Sequence, residues 1–182
     1  MNRKETTEFL GNVLVSDKLT GQGKYYAREV SIDCWTKNAR RVDFMQFLPA
    51  GVIYVSDIEK GIFICYEVKS CIEDVYSGNG LNFIGEKNYL VTTMECYKKL
   101  IPDMHSGKLY KHLMEHFPEA SQKFGVMVPI PRWSDIKEEF DNPTPLDSDN
   151  TRWQMRVTLP ATLDRRRKSM NELLFDMLRS GT

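Results

Sequence analysis

Three residues near the middle of the chain pose a chemical question. Glu67 and Lys69 close a segment that begins at Gly61 and includes the apolar run Ile62-Phe63-Ile64-Cys65. A run of this kind reads as a strand buried on both faces. Side chains two apart on a strand share a face, and a carboxylate and an ammonium are costly to bury without partners. Asp43 poses the same question within Arg41-Val42-Asp43-Phe44-Met45. A buried Glu67–Lys69 ion pair answers it in one way, and a hard divalent cation answers it in another. Mg²⁺, or Mn²⁺ in its place, takes a few carboxylate oxygens plus water and is helped by substrate phosphate. A lysine beside such a metal can orient or deprotonate an attacking water and stabilise developing negative charge.

The elements that must position these residues follow from the apolar pattern. Phe9, Leu10, Val13 and Leu14 mark one face of a helix over residues 7–19, capped by Thr6 or Thr7 and ended by Gly21 and Gly23. Tyr25–Ile32 and residues 41–48 read as the two arms of a hairpin, turned at Trp35-Thr36-Lys37-Asn38-Ala39 and stopped by Pro49 and Gly51. Residues 52–55 form a short apolar run, either strand or packed loop. The strand over 61–69 is the clearest in the chain. Ser70-Cys71-Ile72-Glu73 fits a capping box, so a helix is predicted to start directly after Lys69. A strand over 88–93, a helix over 94–100 ended by Pro102, a helix over 109–117 and a strand over 124–128 closed by Pro129 and Pro131 complete a core. An acidic loop over about 134–150, a strand Trp153–Leu159 and an amphipathic helix over 166–178 follow. The expected fold is therefore one α/β domain across residues 1–182, with its core over about 5–130. It is a mixed central β-sheet flanked by helices in αβββαβ order, with C-terminal additions over about 152–180.

Asp43 followed by Glu67-Val68-Lys69, on consecutive strands behind an N-terminal helix, resembles the PD-(D/E)XK, or restriction-endonuclease-like, nucleases. E-x-K alone is weak; its placement before a helix and after Arg-Arg-Val-Asp-Phe is more specific. Over roughly residues 25–130 the chain is similar to the MmcB-like DNA-repair branch, through Cys65-Tyr66-Glu67-Val68-Lys69-Ser70, Glu73-Asp74, Tyr89-Leu90-Val91 and Phe124-Gly125-Val126. It departs from that branch in the acidic, Pro-containing loop. The resemblance implies a restriction-endonuclease-like core and a metal-dependent nuclease or DNA-processing protein. Asp43 and Glu67 would then hold Mg²⁺ or Mn²⁺, Lys69 would serve the water, and Glu8, ahead of Glu5, would join them from the first helix. The alternative is a catalytically inactive nucleic-acid-binding or protein-interaction module of the same fold, for which a phage or mobile element is one source, and a structural phage or mobile-element protein is a third reading.

Composition narrows the classes. With 25 Lys and Arg against 25 Asp and Glu, the 182-residue chain carries a formal net charge of zero, which argues against coating nucleic acid by bulk charge. The charge is uneven, however. Arg165-Arg166-Arg167-Lys168 stands where a helix dipole disfavours cations, which points to an outside anion such as nucleic-acid phosphate. No apolar run reaches the roughly 18 residues of a membrane span, and the start of the chain carries no signal-peptide pattern. Four cysteines without a CxxC pair suit a reducing cytoplasm.

Asp33 and Asp57 are rival acidic ligands, with turn duty favoured for Asp57. His112 and His116 have the spacing of half a zinc site, but an exposed helix face is the default. Gly78-Asn79-Gly80 reads as a turn over the cleft. Trp35 and Tyr66 are candidates for stacking on bases, against the commoner fate of packing inside.

Overall fold

A computed structural model of the chain describes residues 1–21, 23–51 and 53–180. Helix α1 (Arg3–Leu14) opens on Asn2, whose side chain accepts the Glu5 amide while Glu5 accepts the Asn2 amide at 2.8 Å. This reciprocal box starts the helix one turn before the expected Thr6 or Thr7. The first turn is polar and exposed, so hydrophobic periodicity could not register it. A π turn, Val15–Leu19, continues the helix, which buries Leu10, Val13, Leu14 and Leu19.

β1 (Tyr25–Ile32) and β2 (Arg40–Leu48) form the predicted hairpin, and α2 (Val55–Glu59) follows it. Of the apolar run at 52–55, Val52 lies outside the described residues; Val55 begins a helix rather than a strand. Asp57 takes its expected turn duty, accepting the Ile53 and Tyr54 amides at 3.3 and 3.1 Å.

β3 (Ile62–Lys69) pairs antiparallel with β2. A crossover through α3 (Ile72–Val75) leads to β4 (Lys87–Thr92), which is parallel to β3. Helices α4 (Met94–His105) and α5 (Lys108–His116) lead to β5 (Gly125–Pro131), parallel to β4. Then come α6 (Ile136–Asp141), β6 (Trp153–Leu159), antiparallel to β5, and α7 (Met170–Ser180). The sheet is thus mixed and six-stranded, in the order β1-β2-β3-β4-β5-β6, with helices on its faces. Among the described residues no helix is long and apolar enough to cross a membrane.

Four boundaries differ from expectation, each for a local reason. Pro102 lies inside α4: its ring removes one helical bond, and the next turn is closed by Ser106 N–H donating to Pro102 O at 2.9 Å. Pro129 and Pro131 lie inside β5. They are two apart, so both ring nitrogens face one side, the side that β4 leaves after pairing only with Gly125, Val126 and Met127. The acidic segment expected to be a loop contains α6, capped by Asp135, whose Oδ1 accepts the Lys137 and Glu138 amides. α7 begins at Met170 rather than 166, because Ser169 and Glu172 exchange backbone hydrogen bonds as a capping box.

The helices divide the core in three. α1 and the π turn cover one face, over Phe44, Ile64, Tyr66, Val68, Tyr89 and Val91. On the other face, α4 and α5 pack over Leu90, Val126 and Val128. α7 packs beside them on that face, with Leu173 and Met177 over Met45, Phe63 and Cys65. By alternation, Glu67 and Lys69 share the face of Phe63 and Cys65, and Glu67 stands in register with Leu90. They therefore sit at the seam between the two helical patches.

Candidate functional site

The pairing of β2 with β3 stops at Phe44↔Tyr66. On the other side of β2, the partner that Asp43 would have in β1 is Glu29, and that pair is skipped; Glu29 has φ 53°. The alternation of β2 is reset here, since Val42 joins the α7 side of the sheet while Phe44 joins the α1 side. Asp43 occupies the reset. Its carboxylate turns towards β3, and Oδ2 accepts the Val68 amide at 2.7 Å. That amide belongs to the residue between Glu67 and Lys69, so one hydrogen bond places all three functional groups together.

Glu67 is fully buried. Its Oε1 accepts the Asn82 amide at 3.0 Å, and its Oε2 has no hydrogen-bond partner among the described residues. Burial pushes its carboxyl well above the usual range, and the neighbouring Asp43 charge pushes the same way, against Lys69 and the Asn82 and Asp43 amides. Asp43 is also raised by burial, opposed by the Val68 amide and then by Lys69. Two carboxylates that disfavour each other's charge thus stand next to one lysine.

Lys69 is buried as well. Its Nζ donates to Asn79 O at 2.6 Å and stands 3.8 Å from Asp74 Oδ1. The β3–β4 crossover supplies this cover. Gly80 has φ +64°, and a Cβ there would lie 3.0 Å from Lys69 Nζ and 3.6 Å from Glu67 Oε2. Only a glycine lets the backbone pass so close to both groups in this conformation. Asn82 holds the crossover down at a second point, its Nδ2 donating to Arg41 O at 2.8 Å. Asp43 and Lys69 open into a cleft of about 910 Å³, lined also by Asn79, Gly80, Trp35, Arg41 and His116.

Glu8 does not join the cluster. It lies on the exposed side of α1, 3.9 Å from Lys4 Nζ, and α1 packs on the opposite face of the sheet from Glu67 and Lys69. What reaches the cluster from that helix is Arg3, which pairs with Asp74. Asp74 was missed as a site residue. It accepts the Ser70 amide at 3.2 Å and the Ser70 hydroxyl at 3.4 Å, besides its contacts with Arg3 and Lys69. It therefore displaces the expected box between Ser70 and Glu73: α3 starts one residue later, with Cys71 at its cap position and no side-chain cap. The acidic pair Glu73-Asp74 was legible, but which of the two faces inward depends on where the four-residue helix begins. Asn79 and Gly80 belong to the turn expected over the cleft, whereas no residue pattern announces Asn82, since it reaches Glu67 through its backbone amide.

The basic run is divided. Arg166 pairs with Glu86 at 3.0 Å and lies over the Phe63 ring; Arg167 pairs with Asp164 at 3.0 Å; Lys168 pairs with Asp33. The chain's own acids thus answer the unfavourable dipole placement, while Arg165 is exposed. The His112 and His116 rings lie 4.3 Å apart in a tilted contact, and His112 is held below its usual range, first by burial and then by His116. Among the described residues no group of three or more His, Cys, Asp or Glu is placed to hold a metal. Tyr66 packs inside, stacked on Tyr89, whereas Trp35 is fully exposed. Comparison with protein-family models, with curated proteins and with solved structures finds no match to this chain.

Proposed function

We propose that the chain is a metal-dependent nuclease with a restriction-endonuclease-like core, hydrolysing phosphodiester bonds in nucleic acid, with DNA the favoured substrate. The observation that carries this reading is Glu67 Oε2, a buried carboxylate oxygen without a hydrogen-bond partner among the described residues, behind Asp43 and Lys69, which line an open cleft. An orphaned buried oxygen is costly, and a divalent cation offsets that cost. Two carboxylates are few for a closed metal cage but fit Mg²⁺ or Mn²⁺, which keep waters and take substrate phosphate oxygens as further ligands. Asp43 and Glu67 would hold the ion, which when bound supplies Lewis-acid polarisation and lowers the pKa of a bound water. Lys69 presents an ammonium beside them, suited to orienting the attacking water and to stabilising charge on the phosphorane oxygens. The antiparallel β1-β2-β3 meander followed by a crossover to a parallel β4 supports the architecture that the sequence resemblance implies.

One observation favours the non-catalytic module instead. Lys69 Nζ is already bound to Asn79 O and almost wholly covered, as a purely structural lysine would be. A panel of labelled single-stranded, duplex and branched DNA and RNA, incubated with Mn²⁺ or with EDTA, separates the two. The nuclease reading expects Mn²⁺-dependent cleavage that Lys69→Ala removes while metal binding persists. No cleavage of any substrate, with no Mn²⁺ binding by calorimetry, contradicts it.

A further inference from the structure

We propose that the substrate is engaged as a single strand, its backbone following a basic groove into the cleft and one unpaired base stacking on Trp35. The proposal rests on the nucleic-acid reading of the site. Trp35 sits at the tip of the β1–β2 hairpin with φ +68°, in a turn held by Thr36 N–H donating to Asp33 O at 3.1 Å and Ala39 N–H donating to Thr36 O at 3.2 Å. An indole of this size is ordinarily drawn inside, yet this one is fully exposed and lines the same cleft as Asp43 and Lys69. A lone indole can cover only a base whose face is free. In a duplex the neighbouring base pairs cover those faces; in a single strand they are open.

The second observation is the charge. A further groove of about 660 Å³ adjoins the cleft, and the two share Arg40, Pro118 and Glu119 in their walls. Lys123, Arg165, Arg167 and Lys168 line it as well. Its acids are shared among more cations than they can neutralise. Arg40 faces Glu119 at 2.6 Å and neighbouring Asp33 at 3.6 Å, Lys168 faces the same Asp33, and Asp164 faces both Arg167 at 3.0 Å and Lys123 at 3.8 Å, which leaves five lining cations against three acids. The groove is therefore positive within a chain of zero formal net charge. A positive track for phosphates joined to an aromatic platform is the combination that single-strand binding uses, while the absence of bulk positive charge fits a short contact better than a long duplex footprint.

The test is fluorescence anisotropy with a labelled ~12-nucleotide oligothymidylate, a length within the usual range of single-strand sites, against a duplex of equal length, in EDTA so that cleavage is excluded. The single strand should bind more tightly. Trp35→Ala should weaken it by about tenfold, whereas Trp133→Ala, also at an exposed tryptophan, should not. The double variant Lys123→Gln with Arg165→Gln should flatten the log–log salt dependence by about 1.4. Equal binding of duplex and single strand, or an unchanged affinity in Trp35→Ala, overturns the proposal. Mn²⁺-dependent cleavage of duplex with no effect of Trp35→Ala would overturn it while leaving the nuclease reading standing. Tight, Trp35-dependent binding without cleavage would support it and remove the nuclease reading alone.

Discussion

Asp43 Oδ2 accepts the Val68 amide at 2.7 Å, at the point where β2 and β3 stop pairing. The bond does two things. It satisfies a backbone donor that has just lost its strand partner, and it brings the Asp43 carboxylate to Glu67 on one side and Lys69 on the other. Asp43 and Glu67 are held by backbone amides, while Lys69 has its ion pair with Asp74, so the two carboxylates are available to a ligand.

In metal-free protein near neutral pH, Glu67→Gln should raise the melting temperature, because the wild type must either ionise a buried carboxyl or take up a proton to avoid it. A glutamine can still accept the Asn82 amide, and the repulsion between Glu67 and Asp43 is gone. Were Glu67 half of a structural pair with Lys69, the same change would strand a buried ammonium and destabilise by roughly 3–5 kcal/mol. Thermal melts in EDTA, followed by circular dichroism, distinguish the two by sign.

The pH dependence follows from the same burial. Glu67 and Asp43 are raised from ordinary values of 4.5 and 3.8. Between the unfolded and folded values the native state binds more protons than the unfolded chain. Stability from these groups is therefore full below their unfolded values and is lost as pH rises through the folded ones. In EDTA, the wild type should lose stability relative to Glu67→Gln progressively as pH rises from about 4.5 into the neutral and alkaline range. Mn²⁺ should restore it at the upper end, since binding needs both carboxylates ionised. Parallel melting curves for the two proteins across that range would contradict the account.

Much of the fold was legible because it depends on periods and punctuation. β1 and β6 were read to the residue, β2 and β3 to within one, and the hairpin and mixed sheet followed from their order. That Asp43, Glu67 and Lys69 would lie together was legible, because charged groups in apolar strands demand a reason. Glu8 was misplaced because its helix lies on the opposite face of the sheet, and sequence order does not reveal which face a helix covers. Two S-x-x-E segments illustrate the limit further. Ser169 and Glu172 form a capping box, whereas Ser70 and Glu73 do not, because Asp74 lies close enough to take the Ser70 amide and is itself held by Arg3 from α1.

That competition gives its own prediction. Asp74→Ala should cost about 1–3 kcal/mol, since it leaves the buried Ser70 amide without its acceptor and releases Arg3. Glu73→Ala should leave chemical denaturation unchanged. The reverse order in urea melts would restore the capping box and place Asp74 outside the site.

Gly80→Ala probes the cover over Lys69. The left-handed φ of +64° costs a non-glycine residue about 1–2 kcal/mol, and the added Cβ would come within 3.0 Å of Lys69 Nζ. The lysine tip must shift, whereas Glu67 Oε2, at 3.6 Å, keeps ordinary contact. Mn²⁺ affinity should therefore hold while cleavage falls. Loss of both together, measured by calorimetry and single-turnover cleavage, would place the effect in the metal site instead.

The most direct test of the central claim is a calorimetric titration of wild type, Asp43→Asn and Glu67→Gln with Mn²⁺, on proteins whose folding is verified by their melts. The account predicts one Mn²⁺ bound per wild-type chain and no measurable binding to either folded variant. Equal Mn²⁺ binding by all three proteins, or none by the wild type, would contradict it.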